Sequence, residues 1–563
     1  LAQWGLTFSL KEAIVLNQNS PGMASTVERL QDIPEGFLLS QEGGIFTIPE
    51  KWRDVFAVSR SGNVHYLIVS DSAFGTSQML EIRRQMGAAN LGNVQIIRAT
   101  KDVVRLLYLS SNATKLFDGK SQTTVEELAQ EIISEAARQK ASDIHIESQG
   151  HRANIYFRVN GTRRFYREIT SENAYSMGVV LYSVHADSGS KDVSWDPGQV
   201  MDASVEWETL DKHVYQLRFS SAPIFPSGGF HIVIRLLSME SKGGRLDQLG
   251  YSQEQLSMID VMISGSSGMV ILCGPTNSGK STSLQALLNR IYERRGDSIK
   301  MITVEDPVEY VIPGACQISV ARKRKASIDQ ATNSAFTNFL RGTLRQDPDV
   351  VMVGEIRDHD SASVVKDLVL AGRKLMTTLH TYSALWSYVR LREIGVPWEL
   401  LTMPGFVAGI VYQRLVPVLC NTCSIPLSNG GAERLPKDVL HRLQQVIDFA
   451  SGRVRVRGDG CAECLHTGVI SQTVCAEFVL PDRVLLRHLS NNDFIEAERY
   501  WRKAGLGALG HGVTALSHGI QKMQQGLFCP VDVEERLGLL TADLVMEDNI
   551  ISASELNLLA GKR

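Results

Sequence analysis

Gly274 to Ser281 read G-x-x-x-x-G-K-S, inside the stretch Met269–Leu284, MVILCGPTNSGKSTSL. Residues of these types at this spacing bind phosphate. The glycines let backbone N–H groups curl around phosphate oxygens where a Cβ would intrude. The start of the following helix adds partial positive charge. Lys280 is long enough to reach the β- and γ-phosphates, and Ser281 can hold Mg²⁺. Gly274, Pro275, Thr276, Asn277, Ser278 and Gly279 form the loop, and Thr282 follows it. The other reading is a glycine turn before a core helix. The apolar lead-in Met269–Cys273 and the helix-compatible Ser283–Leu288 stand in register with the loop, which favours phosphate. The ligand read from these residues is a nucleoside triphosphate.

Three more stretches supply groups that could act on it. In Lys300–Tyr310, KMITVEDPVEY, the apolar Met301–Val304 predicts a strand with Glu305, Asp306 and Glu309 beyond its end. Three carboxylates there suit Mg²⁺ or water positioning; the plainer reading is a solvated acidic turn. In Arg341–Asp358, Val350–Val353 predicts a buried strand ending at Gly354-Glu355. Glu355 suits either Mg²⁺ coordination or activation of a water, and it stands alone where an acidic pair is usual. Leu375–Leu379 predicts a further strand, with His380 placed to sense a γ-phosphate. His145, in another part of the chain, reads as structural.

Cys420-Asn-Thr-Cys423 and Cys461-Ala-Glu-Cys464 are two C-x-x-C pairs separated by 37 residues. Four thiolates suit a tetrahedral, structural Zn²⁺. Unrelated buried thiols or a redox pair are the alternatives, and the insert exceeds usual finger spacing. The other four of the eight cysteines are scattered, which points to a reducing compartment and a metal site instead of a disulfide framework.

Such groups converge when parallel strands end at one edge of an open sheet. The fold class expected is therefore α/β, and 563 residues exceed one core. Residues 1–110 read as a small α/β module with strands at Val64–Val69 and Val94–Ile97 and a helix at Ser77–Met86. The polar 111–122 reads as a linker. A second α/β domain, 121–240, opens with an amphipathic helix over Thr123–Lys140. Strands follow at Ala141–Glu147, Ile155–Val159, Val214–Phe219 and Phe230–Leu237, with a hairpin turn at Asn160-Gly161. Residues 241–256, SKGGRLDQLGYSQEQL, read as a hinge. The third domain, 257–540, holds the phosphate loop and a zinc subdomain at 418–466, and a tail of helical pattern runs to residue 563.

Hydrophobic content of 44% and charge of 21% are ordinary for a globular protein. A net charge of −3 argues mildly against a nucleic-acid groove. No run of about 18 apolar residues predicts a membrane span. The N-terminal LAQWGLTFSLKEAIV is a poor signal peptide, and Leu1 in place of Met suggests a trimmed start.

In this order the motifs resemble the secretion ATPases of type II secretion and type IV pilus assembly. The resemblance covers about 121–540, or three quarters of the chain. ASDIHIES resembles that family's signature at the entry to its second domain. GPTNSGKST resembles its phosphate loop, ITVEDPVEY its aspartate box and LRQDPDVVMVGEIRD its Walker B segment. Thr378-Leu379-His380-Thr381 resembles the end of its histidine box, and Val411–Leu415 the stretch before its zinc element. The resemblance implies a RecA-like ATPase domain, a PAS-like domain before it and an N-terminal docking domain. It implies ATP, Mg²⁺ and Zn²⁺ as ligands. It also implies a homo-hexamer, cytoplasmic and peripheral at the inner membrane, working with platform and docking proteins. Arg218 and Arg235 match arginines that would complete the ATP site of a neighbouring subunit. The tetracysteine element points to the assembly branch. Two departures stand out: Arg373 replaces the first histidine of the histidine box, and Tyr382-Ser383 follow His380-Thr381 without the usual asparagine. A nucleic-acid motor of a conjugation system is the alternative.

Overall fold

The chain was described from a computed structural model. It describes residues 26–546 except 28–31, 35, 41–45, 106, 109–119, 188–190, 192–193, 206, 208–213, 227, 239–244, 307, 321–327, 448–452 and 505–511. Most of the expected 111–122 linker and of the terminal tail therefore lies outside the described residues.

The first unit is a four-stranded sheet in the order β1 (Phe37–Leu38), β2 (Phe56–Ser61), β3 (Val64–Ser70) and β4 (Val94–Ala99). The helix Ser77–Ala88 joins β3 to β4 as a parallel crossover. It buries Met79, Ile82 and Met86 against Val58, Leu67 and Val69.

The second unit begins with the helix Lys120–Arg138, whose Val125, Ile132, Ile133 and Ala136 are buried at helical spacing. Its six strands are β5 (Asp143–Gln149), β6 (Arg152–Val159), β7 (Thr162–Thr170), β8 (Met201–Val205), β9 (Val214–Ile224) and β10 (Gly229–Ser238). They form one antiparallel sheet in the order β7-β6-β5-β10-β9-β8. Alternation sets its two faces. Ile144, Ile146, Ile232 and Ile234 point into the core, while Asp143 and Arg235 share the opposite face. Asn160 and Gly161 turn β6 into β7 with φ of 49° and 77°, the left-handed pair that a two-residue hairpin needs.

The third unit carries the largest sheet. Its strands are β11 (Gly268–Cys273), β12 (Met301–Glu305), β13 (Ala315–Ser319), β14 (Val350–Val353), β15 (Lys374–Leu379), β16 (Val407–Leu419) and β19 (Val469–Val479). A short pair, β17 (Ile425–Pro426) and β18 (Arg455–Val456), lies apart in the cysteine-bearing insert. The sheet runs β13-β12-β14-β15-β11-β16-β19, parallel throughout except for the antiparallel β16–β19 edge. Strand β11 is buried at every residue, as a strand covered on both faces must be. Cys273 is level with Leu379, Val353 with Thr377, and Val304 with Val353. The carboxyl ends of four strands thus open at one edge.

The expected hinge is shorter than its composition suggests. From Leu246 onward the segment is part of the third unit's core, where Leu246, Tyr251 and Leu256 are buried. Leu249 O accepts from Val474 N at 3.0 Å, and Lys522 Nζ donates to Gly250 O at 2.5 Å. The helix Gln253–Ser264 then follows behind a Ser252–Gln255 capping box. Of the 241–256 stretch, only residues 241–244 lie outside the described residues. No helix among the described residues is long and apolar enough to cross a membrane.

Candidate active site

The phosphate loop leaves β11 at Gly274 and enters the helix Lys280–Arg295 through Gly279 at φ +82°. Both glycines are required sterically. A Cβ on Gly274 would stand 2.4 Å from Gln413 O, and one on Gly279 would press on the Gln413 amide and Leu415. Asn277 also takes a left-handed φ of 63°. The Lys280 ammonium folds back on the loop and donates to Gly274 O at 2.9 Å and to Pro275 O at 2.8 Å. Burial holds its pKa below the usual lysine range, and Glu355 opposes that shift. The Ser278 hydroxyl is buried without a hydrogen-bond partner among the described residues. A folded-back cation and an orphaned hydroxyl in a glycine cradle fit a phosphate group.

The cleft over the loop has a volume of about 530 Å³. That is within the range of small-ligand pockets, about 300–1,000 Å³. Gly274 itself is not among its lining residues, whereas Thr276 to Thr282 are. Glu305 ends β12 and is buried. Thr303 Oγ1 donates to it at 2.7 Å and Gln317 Nε2 at 3.1 Å. Burial raises its pKa above the usual carboxylate range, and the two hydrogen bonds oppose the rise. Glu355, two residues past the end of β14, lies 3.4 Å from His380 Nε2 and accepts from Arg357 Nε at 2.7 Å. The same guanidinium stands 3.5 Å from Asp306. Burial, with Lys280 adding to it, lowers the His380 pKa, so the imidazole is neutral near pH 7. Thr378 Oγ1 donates to Gly354 O at 2.7 Å and ties the ends of β14 and β15 together.

The second unit closes the other wall. Arg218 and Arg235 face each other across β9 and β10, and both line the cleft with the phosphate loop of their own chain. Arg218 donates to Asp306 O at 2.9 Å and lies 4.0 Å from Glu309. Arg235 Nε donates to Asp143 Oδ1 at 2.9 Å. Within the single chain, both arginines therefore already stand beside that chain's own phosphate loop. The second sheet already lies against the loop, and Gly161 touches Gln472 of the third unit.

Arg373, which stands in place of the first histidine of the histidine box, immediately precedes β15, at the end opposite His380. It pairs with Asp347 at 3.3 Å and does not line the cleft. A parallel strand separates its two ends by about 3.3 Å per residue, so six residues put the guanidinium backbone far from the loop. His145 lies outside the cleft, stacked on His231 with ring centroids 5.7 Å apart. Among the lining residues not singled out from sequence are the charged Asp143, Arg158 and Arg357. Asp143 belongs to the stretch ASDIHIES. Arg357 stands two residues after Glu355, and its role shows only once β12 and β14 are neighbours.

The four cysteines form a second centre at the far end of β16. Their sulfurs all lie within 4.8 Å of one another, with Cys420–Cys461 at 3.7 Å, Cys423–Cys464 at 3.8 Å and Cys461–Cys464 at 3.7 Å. Zn–S bonds of about 2.3 Å in a tetrahedron require sulfurs about 3.8 Å apart, so the donor set fits zinc.

A family model described as "Type II/IV secretion system protein" matches residues 118–528. The chain belongs to this family. Type II secretion system protein E of Klebsiella pneumoniae is 32% identical to it over 403 residues, 71% of this chain and 73% of that protein. The protein of the same name from Pseudomonas aeruginosa is 33% identical over 393 residues, 69% and 72% of the two chains. Type II secretion system ATPase E of Vibrio cholerae is 30% identical over 413 residues, 71% and 76%. Among solved structures, the Legionella pneumophila ATPase DotB is similar with a TM-score of 0.48 and 18% identity, over 71% of this chain and 92% of that one. As a member of the family, this chain is a secretion-system ATPase, and the resemblance read from its motifs holds. The match begins beside the helix Lys120–Arg138 and ends after the cysteine centre, so it takes in both walls of the cleft.

Proposed function

We propose that this secretion ATPase is a Mg²⁺-dependent motor that powers type IV pilus assembly or type II secretion. It works as a homo-hexamer, cytoplasmic and peripheral at the inner membrane, engaged with platform and docking proteins. The observation that carries the reading is the cleft itself: phosphate loop, strand-end carboxylates and arginines from a second unit meet in one chain. The second unit is then a lever whose position answers to the γ-phosphate. Loss of that phosphate on hydrolysis releases the arginines, and the lever moves.

Lys280 would leave the loop carbonyls for the β- and γ-phosphates. Ser281 would hold Mg²⁺, which neutralises phosphate charge when bound. Glu355, steadied by Arg357 and His380, would orient and deprotonate the attacking water. Glu305, Asp306 and Glu309 would support metal and water. A nucleic-acid motor is the other reading; hydrolysis that rises on adding DNA would favour it, and the net charge does not.

The direct test of the chemistry is Glu355→Gln, which removes a charge and keeps the shape. Turnover should fall about 100-fold while ATP stays bound, in line with the usual worth of a general base, ~10²–10⁴. A variant that cleaves bound ATP at the parent rate in a single turnover would remove Glu355 from that role.

For the cysteine centre we infer one structural Zn²⁺ held by Cys420, Cys423, Cys461 and Cys464. Elemental analysis of protein purified without chelators should find about one zinc per chain. Cys461→Ser should lose most of it and lower the melting temperature, with ADP binding retained. Protein without zinc whose four thiols all react freely in the folded state would refute the assignment.

A further inference from the structure

We propose that Gln413 and Tyr251 are positioning residues of the nucleotide site. They brace the phosphate loop from behind and fasten it to the segment by which the chain enters the ATPase core. The inference rests on the ATPase reading above.

Gln413 lies on β16 beneath the loop and is completely buried. Its Nε2 donates to Ser278 O at 2.8 Å. Its Oε1 accepts from the Tyr251 hydroxyl at 2.6 Å. That hydroxyl is also 2.9 Å from Ser283 Oγ, in the first turn of the helix that follows the loop. The orientation of the Gln413 amide in this chain is determined. Ser278 O can only accept, so the Gln413 amide must turn its NH₂ toward it. Gln413 Oε1 can only accept in turn, so the single Tyr251 proton goes there. The same hydroxyl also points at Ser283 Oγ, at the longer distance of 2.9 Å. Burial pushes the Tyr251 hydroxyl pKa up, which keeps that proton in place.

The same residues are held on their other sides. The Tyr251 ring meets Phe478 edge-on with centroids 5.8 Å apart. Just before it, Gly250 sits at φ +101° where a Cβ would strike Thr473 Oγ1 at 1.8 Å. Lys522 Nζ fixes the Gly250 carbonyl. The loop carbonyl at Ser278 therefore cannot shift without disturbing Gln413, Tyr251 and the entry segment. Ordering the loop in advance lowers the cost of binding phosphate to it.

The test is a double-mutant cycle on full-length protein, read as the affinity for a fluorescent ADP. Tyr251→Phe deletes only the hydroxyl and keeps the ring. Gln413→Ala deletes the amide. Each should weaken binding about tenfold, because each leaves a buried partner unpaired. The double variant should bind no more weakly than the weaker single, since the groups act as one chain. A residue with a merely structural role would lower the melting temperature and leave the affinity alone. Tyr251→Phe with the parent's affinity, or losses that multiply to about a hundredfold, would overturn the proposal. Should Gln413→Ala fail to fold, Tyr251→Phe decides alone. A parent that binds no ADP would instead sink the nucleotide reading.

Discussion

Lys280→Ala should abolish ATP hydrolysis, by about 10³-fold or more, with the fold intact. The size follows from losing a desolvated cation aimed at developing phosphate charge, where one lost donor costs ~10²–10³. The fold should persist because Lys280 holds nothing but its own loop. Its two bonds go to Gly274 O and Pro275 O, and the cleft beside them is open to water. Burial already disfavours its charge, so its removal does not cost the protein a stabilising ion pair. ADP affinity should fall as well, since the β-phosphate loses its counter-charge. Steady-state turnover, ADP titration and a melting curve together check the outcome. Parent-like turnover in a clean preparation would end the assignment.

Arg235→Ala should be nearly as damaging, by about 10³-fold in turnover, the low end of the ~10³–10⁵ measured for arginines that stabilise phosphoryl transfer. Arg235 stands on a rigid strand, and Asp143 aligns it across β5 and β10. Both partners are part of the sheet, so the guanidinium is presented without loop freedom. Asp143 is buried and Arg235 is about a third exposed, which leaves the cation able to meet a ligand in the cleft. Removing Arg235 leaves the Asp143 carboxylate unpaired and should cost some stability as well. Asp143→Asn should reduce turnover less, because the amide oxygen still accepts from Nε. Equal turnover in parent and Arg235→Ala would leave Arg218 or Arg357 as the cleft cation that matters.

The chemistry was legible wherever it was local in the chain. The loop at 274–281 and the ends of β12, β14 and β15 could be read because an apolar run of four to six residues precedes each one. Parallel strands then bring such ends together by construction. The four cysteines were legible for the same reason, as paired short spacings. What pairing decides was not legible. Strands β16 and β19 form a long antiparallel hairpin, and the cysteine-bearing insert between them hides the pairing. Gln413 therefore gave no sign that it lies under the loop. Arg218 and Arg235 were recognised by type, but no spacing could say whose phosphate they face. Residues 246–256 looked like a hinge from their glycines and polar side chains. Gly250 proved to be a close approach to Thr473, and Tyr251 a buried anchor.

The central claim is that the two walls of one chain make one ATP site. It is tested most directly by mixing Lys280→Ala chains with Arg235→Ala chains and measuring hydrolysis, with differently tagged subunits to show that mixed assemblies form. Each site needs Lys280 and Arg235 from the same chain, so the account predicts no recovery above the sum of the two inactive proteins. Recovery toward about a quarter of the parent rate, the share of adjacent loop–arginine pairs that random mixing in a ring leaves intact, would contradict it.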